Sequence, residues 1–109
     1  MESRRVIEAT CPECRGPLSE VRDGGVTEYR CLVGHRYSPL SLLIAHSETE
    51  ERELWSAVLA LQEADVIASE VSTHLHTAAE TLRTQGAEKR RQADAVRAVL
   101  TNLRPFTTE

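Results

Sequence analysis

Cys11-Pro12-Glu13-Cys14 and, after sixteen intervening residues, Cys31-Leu32-Val33-Gly34-His35 contain every cysteine of this 109-residue chain. A C-x2-C turn aims two sulfurs at one point, and a C-x3-H turn supplies a third sulfur and an imidazole. Together these are the four ligands that a tetrahedral zinc site needs. The interval between the two turns is about what a short β-hairpin consumes. Cys11, Cys14, Cys31 and His35 are therefore read as the ligands of one structural Zn2+. A catalytic zinc keeps one coordination position open. Here all four can be filled, and no nearby Glu or His is placed as a base. Thiolate sites can also release their metal on oxidation, so a redox-sensing role stays open.

The residues around the ligands support a ribbon over 1–38. Asp23-Gly24-Gly25 is a hairpin turn signal, because glycine accepts the positive φ that such turns demand. It separates segments 17–22 and 26–31, while 6–10 can add a third short strand. On the second segment Thr27, Tyr29 and Cys31 share one face, so the strand delivers its cysteine toward the ion. Without metal a unit this lean should not fold, since binding in such sites contributes on the order of 10–16 kcal/mol.

Beyond Ser38-Pro39 no glycine or proline occurs until Gly86. Ser38 suits an N-cap and Pro39 the first helical position, where no amide donor is needed. The segment 39–109 is read as helical, with a short helix at 39–46 carrying Leu40, Leu43 and Ile44 along one edge. His46-Ser47 interrupts it, and Ser47 with Glu50 forms a capping box for a long helix at 48–84. Leu54, Val58, Leu61, Ala68, Leu75, Ala79 and Leu82 make its main stripe. A neighbouring row of Ala64, Ile67, Val71, Leu75, Ala78 and Leu82 widens it. Gly86 ends that helix. A final helix at 87–103 presents Ala93, Val96, Leu100 and Leu103 before Arg104-Pro105 stops it. Two helices joined by a short loop lie antiparallel. The expected fold is thus a small α+β protein, an N-terminal β-hairpin zinc ribbon followed by an antiparallel helical hairpin.

Charge bears on the partner. Through Ser38 six Arg stand against six acids, whereas from Pro39 onward seven Lys or Arg stand against eleven acids. The acidic half disfavours nucleic acid as a partner. Arg15, Arg22, Arg30 and Arg36 keep a basic face on the ribbon as the feature that would favour it. The N-terminus leads into no apolar signal region, and runs such as 42–45 are too short to span a membrane. Three thiols grouped with one histidine suit a reducing cytoplasm.

The remaining polar residues have plain readings. His74 and His76 fall on different helix faces and pair with Glu70 and Glu80. His46 caps carbonyls at a helix junction, and Trp55 is buried between ribbon and hairpin. Lys89-Arg90-Arg91 belongs to a solvated helix start. No nucleophile elbow, phosphate-binding glycine loop or H-E-x-x-H occurs, so catalysis is not expected.

The run Thr10-Cys-Pro-Glu-Cys-Arg-Gly-Pro-Leu, then Tyr29-Arg-Cys-Leu-Val-Gly-His-Arg-Tyr-Ser-Pro, Ser41-Leu-Leu and Leu54-Trp-Ser-Ala-Val-Leu-Ala-Leu, resembles a known extension. It is similar to the C-terminal zinc ribbon with helices of certain bacterial chemotaxis-type protein-glutamate methylesterases (CheB-like proteins). The likeness covers nearly the whole chain and is strongest from Cys11 to Leu61. It implies the same four metal ligands. The upstream hydrolase domain of those relatives has no counterpart here, so their esterase activity does not carry over. The resulting expectation is a zinc-binding interaction or regulatory module, in chemosensory or two-component signalling. It would dock a protein partner through its exposed helix faces and could self-associate through the thin hairpin seam.

Overall fold

The computed structural model describes residues 1–106; residues 107–109, the end of the expected 39–109 segment, lie outside it. Four strands come first: β1 (Glu2–Thr10), β2 (Pro17–Asp23), β3 (Val26–Cys31) and β4 (Arg36–Tyr37). They form one antiparallel meander in sequence order. Two helices follow, α1 (Pro39–Ser72) and α2 (Ala79–Thr101). The expected α+β class therefore holds, with a four-stranded sheet in place of a bare hairpin. The described residues divide into two compact units, Met1–Thr49 with Pro105 and Phe106, and Glu50–Arg104. The division falls inside α1, not at the expected position after Ser38.

In the first unit, Asp23 pairs with Val26 across a two-residue turn, and both Gly24 and Gly25 have positive φ. That is the backbone a tight hairpin selects glycine for. Register places Leu18 opposite Cys31 and Tyr29 opposite Tyr37. These side chains share the sheet face carrying the small core of Cys11, Leu18, Cys31 and Tyr37. Leu42 and Ala45, on the first turns of α1, pack against that core. On the opposite face Val21 is fully buried, with Arg4 and Glu28 as its register partners. Glu28 there takes ion pairs from both Arg30 and Arg36, and Glu20 takes them from Arg5 and Arg22 at 3.1 and 3.0 Å. Three of the four arginines expected to form a basic face are thus neutralised by carboxylates of the sheet.

α1 starts as the sequence indicates. Ser38 Oγ accepts the amide of Ser41 at 3.1 Å, and Pro39 is the first helical residue. The expected break at His46-Ser47 does not occur, and no capping box forms. Ser47 Oγ instead accepts the amide of Phe106 at 3.0 Å, and the buried Thr49 hydroxyl donates to the Pro12 carbonyl at 3.4 Å. With those groups satisfied outside the helix, nothing interrupts the backbone ladder. His46 lies within α1, its ring centroid 6.5 Å from that of Phe106, so it is no junction cap.

The second unit is the helical hairpin, but its turn falls earlier than expected. α1 ends at Ser72, where the Ser72 and Thr73 hydroxyls bond back to the Ser69 and Glu70 carbonyls at 2.7 and 2.8 Å. The amides of Thr73, His74 and Leu75 bond three residues back, tightening the end. Polar and β-branched residues compete with the helix in this way. His74 and His76 therefore sit in the interhelical segment and lack the helical spacing for the expected glutamate pairing. Gly86 does not end a helix. It is buried within α2, where an added Cβ would stand 2.8 Å from Asp65 Oδ1 and 3.1 Å from the Ala68 Cβ. The glycine marks close approach of the two helices. Arg90 reaches Asp65 at 2.6 Å, and the Arg97 guanidinium lies 5.8 Å from the Trp55 ring centroid. The contacts advance in opposite directions along the two helices, as in an antiparallel pair.

Only part of the expected stripe is covered. Val58 and Ala93 are buried, while Leu54, Leu61, Ala68, Val96, Leu100 and Leu103 are half-buried. In the widening row Ile67 and Val71 remain exposed, because one facing helix covers only a narrow strip, and Leu75 is exposed in the interhelical segment. Trp55, expected in an interior, is 47% exposed. Lys89-Arg90-Arg91 lies inside α2, with Arg90 held by Asp65 and Arg91 by Glu88. No helix among the described residues is long and apolar enough to cross a membrane.

Candidate metal centre

Two tight turns present the ligands. In the first, the Cys11 amide donates to the Gly16 carbonyl at 2.7 Å and the Arg15 amide to the Cys11 carbonyl at 2.8 Å. Arg15 takes a positive φ of 63° to close it. In the second, the Gly34 amide donates to the Cys31 carbonyl at 3.3 Å, and Gly34 has a φ of 113°. The His35 amide then points back at Cys31 Sγ, 3.3 Å away.

These turns bring all four expected ligands together, their ligand atoms all within 4.8 Å of one another. Cys14 Sγ lies 3.7 Å from Cys31 Sγ, and His35 Nδ1 lies 3.5 Å from Cys11 Sγ and 3.3 Å from Cys31 Sγ. Bonds of about 2.3 Å to sulfur and about 2.0 Å to nitrogen, at tetrahedral angles, space two sulfurs about 3.8 Å apart and sulfur from nitrogen about 3.5 Å. These three separations are close to the edges of such a tetrahedron. Cys11 and Cys31 are buried, Cys14 is exposed, and none is in a disulfide. The residues present fit a metal ion.

The electrostatics prepare the sulfurs unequally. Burial pushes the Cys31 thiol up, but the amides of His35, Gly34 and Val33 and the Cys14 thiol outweigh it, leaving it at about 6. Cys11 follows the same logic: burial opposes, and the amides of Cys14 and Glu13 help bring the thiol below its ordinary value. At Cys14 the Gly16 amide favours the thiolate, yet burial and the neighbouring sulfurs raise the thiol overall. His35 is raised chiefly by its contact with Cys31, with Cys11 and Glu13 adding to it.

Two participants were not evident from spacing. Glu13, between the first two ligands, places Oε2 3.0 Å from His35 Nε2. A carboxylate therefore does stand beside the site, but it touches a ligand, not an open coordination position. Tyr37 donates its hydroxyl to Glu13 Oε1 at 2.9 Å and lies 3.6 Å from Cys11 Sγ. Pairing of β3 with β4 places it there, a register that motif spacing does not encode. No family model, characterised protein or solved structure matches the chain.

Proposed function

We propose that this chain is a small zinc-binding interaction module whose metal is structural. The convergence of three sulfurs and one imidazole nitrogen, with three of their separations at metal-site values, carries the reading. Zinc suits this donor set, since thiolate and imidazole in a closed four-ligand site are its usual structural environment. With every position filled by protein, the ion serves to join the turns that bear Cys11, Cys14, Cys31 and His35. Catalysis by the chain itself forms no part of the proposal, and the free thiols suit a reducing cytoplasm.

The interaction role rests on the hairpin. Leu59, Val66, Ile67 and Val99 are each more than half exposed. Apolar side chains left open on a two-helix unit favour a protein partner, including a second copy of this chain. The likeness to methylesterase extensions directs the search for that partner toward chemosensory or two-component signalling. A nucleic-acid role has less support, because Glu20 and Glu28 already hold Arg22, Arg30 and Arg36. A salt-dependent shift of a DNA or RNA probe would restore it. The exposed Cys14 beside the low-lying Cys31 thiol favours a redox-responsive variant of the zinc reading. Zinc release under mild peroxide, faster than from a generic ribbon, would support that variant.

The direct test is Cys14→Ser. It removes one ligand at an exposed position, so packing alone is little disturbed. The variant is expected to lose zinc and the amide dispersion of residues 1–38. Full metal content with a native spectrum would refute the ligand assignment.

A further inference from the structure

An imidazole can offer either ring nitrogen to a metal, and the hydrogen bond made by the other nitrogen fixes which one. Here Nδ1 of His35 faces Cys11 and Cys31 Sγ, while Nε2 faces the Glu13 carboxylate at 3.0 Å. Glu13 is itself restrained. The Tyr37 hydroxyl donates to its other oxygen at 2.9 Å, and Tyr37 is only 8% exposed, anchored in the core beside Cys11 and Leu18. That hydroxyl has one proton to give. It goes to the carboxylate at 2.9 Å in preference to the Cys11 sulfur at 3.6 Å.

We infer that Glu13 and Tyr37 are positioning residues of the metal centre. Glu13 accepts Nε2–H and commits Nδ1 of His35 to the ion, and Tyr37 holds the Glu13 carboxylate in place. The inference rests on the zinc reading above and adds what tunes the site. An exposed carboxylate–imidazole pair by itself has little energetic weight. The distinguishing feature is the chain from buried tyrosine to carboxylate to ligand, which removes freedom from both side chains before metal arrives. Partners of this kind raise ligand basicity, and their loss commonly weakens metal binding about 10–100-fold. The third residue of the C-P-E-C turn thus acts across the site on the one ligand that is not a sulfur.

The test compares wild type with Glu13→Gln, Glu13→Ala and Tyr37→Phe. Zinc affinity is measured by competition with a chromogenic chelator. The ring nitrogens of His35 are then observed by long-range 15N NMR at saturating zinc. Wild type is expected to bind through Nδ1, with a slowly exchanging Nε2–H. Glu13→Ala should weaken binding about 10–100-fold and release that proton to solvent exchange even when zinc is saturating. Glu13→Gln, which keeps an acceptor without the charge, and Tyr37→Phe should show smaller losses in the same direction. Affinities within twofold of wild type in all three variants, or coordination through Nε2, would overturn the inference and leave the metal reading intact. Failure of wild type to bind zinc would overturn both. The exposed Glu13 carries no core packing, so its variants should fold at saturating zinc.

Discussion

At the scale of single residues, the thiol of Cys31 at about 6 is the most informative value, because it gives one ligand ready as thiolate at neutral pH. Cys14 is raised and carries a proton there that the metal must displace, and His35 is raised above its ordinary value, so it too competes for protons with the metal. Apparent zinc affinity should therefore rise with pH, since binding releases those protons. On acidification retention should weaken first as Cys14 and His35 take up protons, then collapse as pH passes below about 6, where Cys31 also protonates. Chelator competition across that interval checks the sign. A flat profile would mean that these groups do not hold the ion. The grouping of Cys11, Cys14, Cys31 and His35 was legible from spacing alone, because Cys and His at those intervals have few other uses. The roles of Glu13 and Tyr37 were not, because they depend on which nitrogen of His35 turns inward and on the pairing of β3 with β4.

At the scale of elements, the start of α1 was readable from Ser38-Pro39, since capping is local chemistry. Its end was not. Gly86 carries the same letter whether it stops a helix or lets two helices touch, and only tertiary placement separates the cases. The continuity of α1 through His46-Ser47 is equally illegible locally, because Ser47 accepts the amide of the distant Phe106 and Thr49 donates to the Pro12 carbonyl. The close contact at Gly86 gives a test. Alanine in place of glycine within a helix normally stabilises by about 1 kcal/mol. A leucine there would meet Asp65 and Ala68 inside ordinary contact distance, and overpacking of this kind costs about 1–3 kcal/mol. Asp65 has little room to give, because it holds Arg90. Gly86→Leu should lower the melting temperature followed by circular dichroism. A rise would show that the helices do not meet at this point.

At the scale of the whole molecule, the ribbon followed by helices was foreseen, while the division into units was not. Composition changes at Ser38-Pro39, but compactness changes near Thr49, because Leu42 and Ala45 belong to the core of the first unit. In the second unit, Trp55, Leu59 and Val66 follow helical spacing on one exposed flank. If a second copy covers that flank, sedimentation equilibrium should give a dimer, and the double variant Leu59→Asp with Val66→Asp should give a folded monomer. A wild-type monomer at every accessible concentration would exclude self-association as the use of this surface.

The most direct measurement is zinc-edge X-ray absorption on the purified, reduced protein, combined with metal content per chain. One zinc per chain is expected, with a first shell of three sulfurs at about 2.3 Å and one nitrogen at about 2.0 Å. A shell containing water oxygen, fewer than three sulfurs, or no stoichiometric metal would contradict a closed centre built from Cys11, Cys14, Cys31 and His35.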